Sequence, residues 1–166
     1  PKTPPTLDGD AVAKKLPVPS DEQQAESEKL VKELFKQDFA KALRLVDKAE
    51  LAAKLLEQAK TTSDDTNGQY VLLQEASDLC GVAGDFELME KILTELTTHF
   101  EVDPIEVRSK RFKQLSTTVK SGAPQEQLAE AYLKLAEECA TASRFDTAIE
   151  ATKTAVLLAG KAKNLT

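Results

Sequence analysis

Histidine occurs once in the chain, at position 99, and Glu101 and Asp103 follow it closely. An imidazole beside a carboxylate is a minimal general-base pair. His99 falls at the end of an apolar helical stretch, however, where a histidine meets the free carbonyls of the helix end. That role is preferred to catalysis. No GxSxG elbow raises a serine nucleophile, and no GxxxxGK[ST] or GxGxxG loop cradles phosphate. Cys80 and Cys139 sit among apolar residues, with no CxxC and no Cys/His cluster. They read as two buried thiols, with a disulfide as the alternative, and zinc is not supported. Asp64 to Glu75 has the length of a calcium loop. Its third position is Thr66, its fifth is Gly68, and Gln69 replaces the required glycine. Asp64 and Asp65 are therefore expected to cap a helix instead. Glu137 and Glu138 are neighbours in sequence and do not share a helix face, so they read as solvated surface. No catalytic residue, metal ligand or cofactor is assigned.

Charge is the stronger signal. The net charge is −6 and the pI is about 5.0, which argues against nucleic acid as a partner. The sign is unevenly distributed. Residues 63–102 hold nine acids and one lysine, whereas residues 103–122 hold Arg108, Lys110, Arg111, Lys113 and Lys120 against Asp103 and Glu106. Two readings follow. The basic segment lies along the acidic one and offsets it, which is the preferred reading. In the other, one face presents Arg108, Arg111 and Lys113 to an anionic partner such as a peptide or a cell-wall polymer.

The elements that must position these groups are helices. Hydrophobic residues make up 41% and charged residues 30%, within the soluble globular range. Ala, Leu, Glu, Lys and Gln dominate, and runs of strand type are missing. No apolar run approaches the ~18 residues that span a bilayer, and no stretch reads as a signal peptide. Starting at Pro1 rather than Met, the chain is expected to be processed or a piece of a longer one. Residues 1–19 carry Pro1, Pro4, Pro5, Pro17 and Pro19 and are expected to be an extended linker, with a short helical turn around Ala11 to Leu16. Residues 20–166 are expected to form one helical domain.

Ser20 and Gln23 have capping-box spacing, so a helix is predicted over 21–41. Its buried face would carry Leu30, Val31, Leu34, Phe35 and Phe39. A tight turn near Leu43 to Val46 leads to a second helix reaching Lys60, with Leu51, Leu55, Leu56 and Ala59 inward. Further helices are predicted over 66–83, 86–99 and 104–119, then from about 123 to 142, and from 145 to about 161. Asp103-Pro104 supplies N-cap and N1 proline for the fifth. Its inward residues would be Ile105, Phe112, Leu115 and Val119, with its basic residues outward or toward the acidic segment.

The chain repeats itself at an offset of 59 residues. Gly84-Asp85-Phe86 aligns with Ser143-Arg144-Phe145, Leu73 with Tyr132, Ala76 with Leu135, Ser77 with Ala136, Cys80 with Cys139, Met89 with Ala148 and Leu96 with Ala155. Tyr132, Leu135, Ala136, Phe145, Ala148 and Ala155 resemble the tetratricopeptide signature. Small residues there let two helices cross closely, and large ones plug the gap between hairpins. Thr152 stands where an aromatic is usual, and Gly160 where the closing proline is. The resemblance implies an all-α fold of about seven helices in stacked antiparallel hairpins, an irregular right-handed array with the helix at 104–119 as the insertion.

A second resemblance covers Leu16 to about Ser116. Pro17-Val18-Pro19, Leu34-Phe35 to Ala42, Leu51 to Gln58, Tyr70 to Leu73 with Glu75-Ala76, and Ala83-Gly84-Asp85 are similar to a helical module of large planctomycete secreted or cell-surface proteins. That resemblance implies export, to the periplasm or cell surface, and a multidomain context. The expected function is a non-catalytic helical-repeat module for protein–protein contact or scaffolding, with a protein or peptide as partner and no membrane insertion. The alternative is a small-ligand-binding or enzymatic helical domain, for which His99 with Glu101 or Asp103 is the candidate set.

Overall fold

The computed structural model describes residues 14–119 and 123–163, and these hold eight helices. They are α1 (Asp21–Leu34), α2 (Lys36–Lys41), α3 (Leu45–Thr61), α4 (Thr66–Ala83), α5 (Phe86–His99), α6 (Pro104–Thr118), α7 (Ala123–Thr141) and α8 (Phe145–Lys163). The all-α expectation stands, with one helix more than the sequence suggested. None of these helices is long and apolar enough to cross a membrane.

The extra helix comes from a break at Phe35. The Ser20 capping box forms, with the Gln23 amide donating to Ser20 Oγ at 3.3 Å and the Ser20 amide donating to Gln23 Oε1 at 2.9 Å. The helix so started stops at Phe35, whose φ of −99° and ψ of 16° are not helical. The side chain explains the break. Phe35 is buried, with Lys54 Nζ 5.5 Å from the ring centre, while Leu30 and Leu34 are 70% and 74% exposed. The expected face of α1 is therefore corrected: Val31 and Phe35 enter the core, Phe39 packs against it, and Leu30 and Leu34 face out.

The core lies around α4, which packs on α3, α1, α5 and α6. Tyr70, Val71, Leu72, Leu73, Ala76, Ser77 and Cys80 are all buried along it. A helix buried along most of its length takes the central place, because each fully buried Leu or Val contributes about 1.5–3 kcal/mol. From α3 it receives Leu51, Leu55, Leu56 and Ala59, as the spacing predicts. The Asp65 side chain caps α4 by accepting from the Gly68 amide at 2.9 Å, so this acid serves the backbone.

Residues 14–19 are extended, and they belong to the packed unit. The Leu16 amide donates to His99 O at 2.7 Å, and the Glu101 amide donates to Leu16 O at 2.8 Å. Pro19 is buried and Leu16 packs against the core. The rest of the expected proline-rich linker, including Ala11 in the expected helical turn, lies outside the described residues, as do Lys120 and the Ser121-Gly122 turn.

The 59-residue offset is visible in the backbone. Gly84 takes a left-handed φ of 75°, and Ser143 takes 59°. The Asp85 amide donates to Cys80 O at 3.3 Å, and the Arg144 amide to Cys139 O at 2.8 Å. The two hairpins α4–α5 and α7–α8 thus turn on the same hydrogen bond. Between them stands α6, packed on α4 and α5 on one side and on α7 on the other. Phe112 is the plug, with its ring centre 5.8 Å from Phe86 and 5.5 Å from Tyr132. Leu115 and Val119 are buried beside it and Ile105 is half-buried, as predicted.

Candidate functional site

The three basic residues singled out on α6 do not share a surface. Arg111 is buried. Its guanidinium pairs with Asp78, bonds Gln74, and donates to Gln114 Oε1 at 2.9 Å. Gln74 in turn donates to the Tyr70 hydroxyl at 2.8 Å. This polar network ties α6 to α4, so the expectation that Arg111 faces outward toward a partner is corrected. The reason is the helical period: Arg111 shares a face of α6 with Gln114, three residues on, and that face packs on α4, where Asp78 accepts from both. Arg108 is about one-fifth exposed and donates to Glu138 Oε2 of α7 at 3.2 Å. Lys113 is exposed. The offsetting of the basic helix by the acidic segment therefore holds at Arg111 and Asp78, while Arg108 finds its ion-pair partner on α7.

Two hollows flank the α6–α7 join. One is a groove of about 600 Å³ between α6 and α8, floored by Tyr132 and Leu135 of α7. Its walls carry Lys110 and Lys113 from α6 and Lys153 from α8, with Glu150 the single acid. Hydroxyls complete the lining: Ser109, Ser116, Thr147, Thr154 and Tyr132. Tyr132 is fixed by Ser116, whose Oγ donates to Phe112 O at 2.8 Å and lies 3.2 Å from the phenol oxygen. Ser109 Oγ is buried without a hydrogen-bond partner. Among the described residues, Lys110, Lys113 and Lys153 make no ion pair. By contrast Arg44, Arg108, Arg111 and Arg144 are all paired.

The second hollow is a cleft of about 270 Å³ between α5, α6 and α7. Phe86 and Phe112 line it, with Glu87, Glu90, Glu130 and Glu138 against Arg108 and Lys134. Glu90 Oε1 is buried without a partner, and burial raises that carboxyl's pKa although Arg108 works against the shift.

His99, Glu101 and Asp103 do not converge. His99 Nδ1 lies 3.0 Å from Glu95 O at the end of α5, the helix-end role anticipated for it. Asp103 caps α6, accepting from the Ile105 and Glu106 amides at 2.9 and 3.1 Å, and it pairs with Arg144. The Arg144 guanidinium holds the Asp103 carboxyl below its ordinary pKa. The cysteines are free thiols, both buried, on separate hairpins, so the disulfide alternative is excluded. Burial pushes the Cys80 thiol up to about 12, which makes it inert at neutral pH.

Sequence reasoning missed the groove because it searched one helix. Lys110 was in the basic count and Tyr132 in the repeat, but Lys153 lies on α8, and Ser109 carried no signal. Pairing α6 with α8 across α7 would have brought Lys113 and Lys153 together. The chain matches no family model, no curated protein and no solved structure.

Proposed function

We propose that this chain is a non-catalytic, tetratricopeptide-like helical-hairpin module, part of a larger exported protein, that binds an acidic segment of a partner protein in the groove between α6 and α8. One observation carries this reading: three lysines without ion pairs converge on a groove with an aromatic floor, in a chain of net charge −6 whose arginines are all paired. An unpaired lysine cluster in an acidic protein creates a local positive field that attracts carboxylates. Tyr132 and Leu135 line the floor beneath, and the Thr147 hydroxyl can donate to a carboxylate or carbonyl oxygen, whereas Ser116 and Thr154 already donate to backbone carbonyls. The groove lies at the surface between α6 and α8 and is not enclosed, which suits a segment of chain.

The test is fluorescence anisotropy with a labelled Glu/Asp-rich decapeptide, against a Lys-rich control of the same length. The acidic peptide binds, the basic one does not, and affinity falls as salt rises. Replacing Lys110, Lys113 and Lys153 together with Gln abolishes binding and leaves the fold intact. Equal binding by that variant would refute the assignment.

The small-ligand reading rests on a different observation, the partly desolvated Glu90 in the acidic cleft. A cationic ligand there would give the buried oxygen the partner it lacks, with Phe86 and Phe112 as apolar walls. Calorimetric titration with small amines, on the wild type and on Glu90→Gln, tests that reading.

A further inference from the structure

The first turn of α4 holds a reactive dipeptide that the proposed function does not use. The chain has two asparagines, Asn67 and Asn164, and only Asn67 precedes a glycine. An Asn-Gly step is prone to spontaneous deamidation. Glycine has no Cβ to hinder its own nitrogen, and its backbone turns freely enough to bring that nitrogen to the asparagine carboxamide. The structure shows why glycine stands at 68 and what restrains the step. Asp65 is the N-cap of α4, and its Oδ1 accepts from the Gly68 amide at 2.9 Å. A Cβ at position 68 would collide with Asp65 Oδ2 and push the carboxylate off this amide. The cap and the labile dipeptide therefore come together. Gly68 is buried, and the next amide, of Gln69, donates to Asp65 O at 2.9 Å, so Asn67 is held in helical backbone.

We propose that Asn67 is a latent deamidation site, held shut by the Asp65 cap and released only when the first turn of α4 opens. In the open turn the Gly68 nitrogen gives its proton to hydroxide or a buffer base and attacks Asn67 Cγ. The Cγ–Nδ2 bond breaks, the side-chain amide takes a proton from solvent and leaves as ammonia, and a cyclic succinimide remains. Water then adds to either imide carbonyl and breaks that carbonyl's C–N bond, giving an aspartyl or an isoaspartyl residue. In the closed turn two features stop the first step. The Gly68 N–H is committed to Asp65 and shielded from base, and helical backbone fixes ψ at Asn67 and denies the rotation that ring closure needs. Helix ends open far more often than helix centres, so the cap sets the rate. The product acts at a defined place. An isoaspartyl residue carries the chain through its side chain and shifts the register of the turn. Gln69 lies just beyond, buried, and its Nε2 donates to Ala59 O at 3.1 Å, tying α4 to the end of α3. Either product also adds a carboxylate near Asp64 and Asp65. Deamidation therefore loosens the α3–α4 joint.

Peptide mapping by mass spectrometry tests the proposal, on the intact chain aged at mildly alkaline pH beside a synthetic peptide of residues 61–72. The free peptide is expected to deamidate at Asn67 at least roughly tenfold faster than the folded chain. Asp65→Ala raises the rate in the folded chain by roughly fivefold, the factor that corresponds to the ~1 kcal/mol of a lost cap. Asp65→Ser, whose hydroxyl still accepts, keeps the slow rate. Gly84→Ala weakens the chain at the far end of α4 and leaves the rate at Asn67 unchanged, which separates loss of the cap from loss of stability at large. A folded chain that deamidates as fast as the peptide overturns the proposal, and so does an Asp65→Ala rate equal to that of the wild type. Equal acceleration by Gly84→Ala and Asp65→Ala overturns it as well, because opening would then be global and the cap would not control it. Asp65 and Asn67 line neither hollow, so the outcome is independent of peptide binding.

Discussion

The groove and the cleft lie back to back on α6 and α7, and they differ in where their charges find partners. In the cleft, Arg108 sits against Glu138, and Lys134 lies among the glutamates. One ion pair forms there, and the four glutamates still outnumber Arg108 and Lys134, so the cleft keeps an acidic excess that includes Glu90, whose carboxyl burial makes less acidic. In the groove, three lysines face one acid and no pair forms among the described residues. The two hollows thus carry excess charge of opposite sign, acidic in the cleft and basic in the groove, and only the groove suits an acidic partner. The four basic residues of α6 within 108–113 divide accordingly. Arg108 and Arg111 point to acids on neighbouring helices, and Lys110 and Lys113 point to the groove. Arginine suits the first role because its planar fork holds several acceptors at once.

The partition between the hollows is the first place to break the comparison. Phe112 separates them and is 2% exposed. Phe112→Ala is expected to cost about 3–5 kcal/mol in chemical denaturation and to weaken peptide binding, because Tyr132 loses its support. The arginines come next. Arg111→Gln leaves Asp78 and Gln74 without their shared donor, and about 1–3 kcal/mol is expected. Arg108→Gln and Lys113→Gln, at more exposed sites, should each stay within about 1 kcal/mol. Equal costs for Arg108 and Arg111 would show that burial does not set the division.

Two glycines sharpen the hairpin side of the comparison. Gly84 holds a positive φ, and an added Cβ would sit 3.3 Å from Val119 Cγ2. Gly84→Ala should therefore destabilise by about 1–2 kcal/mol. Gly160 lies within α8 facing open space, so Gly160→Ala should stabilise by about 0.5–1 kcal/mol. Thermal unfolding of the pair should thus shift in opposite directions.

The smallest expected effect is the pH dependence of Glu90. A carboxyl whose folded pKa is raised binds its proton more tightly when folded. Its contribution is favourable at low pH and is lost as pH rises through that folded value. Glu90→Gln should therefore raise Tm at pH 7, and the gain should vanish on acidification. A gain that persists at low pH would mean that packing, not charge, is responsible.

Most of the fold was legible because helical period and capping act locally. Ser20 with Gln23, Asp85 after Gly84, and Asp103 before Pro104 each fix a helix start within one turn. Phe35 was not legible in this way. No glycine or proline marks the break there, and the ring turns inward because the core of α3 and α4 receives it. The site was half legible for the same reason. The charge of α6 could be counted, but its orientation depends on Asp78, 33 residues away in sequence from Arg111. The groove needs Lys153 from yet another helix.

Chemical-shift mapping with the acidic decapeptide tests the central contrast most directly. On titration, amide shifts should concentrate at Lys110, Lys113, Ser116, Tyr132, Thr147 and Lys153, with little change at Glu87, Glu90 and Glu130. Shifts centred on those glutamates, or none at millimolar peptide, would contradict the assignment of the lysine groove as the binding surface.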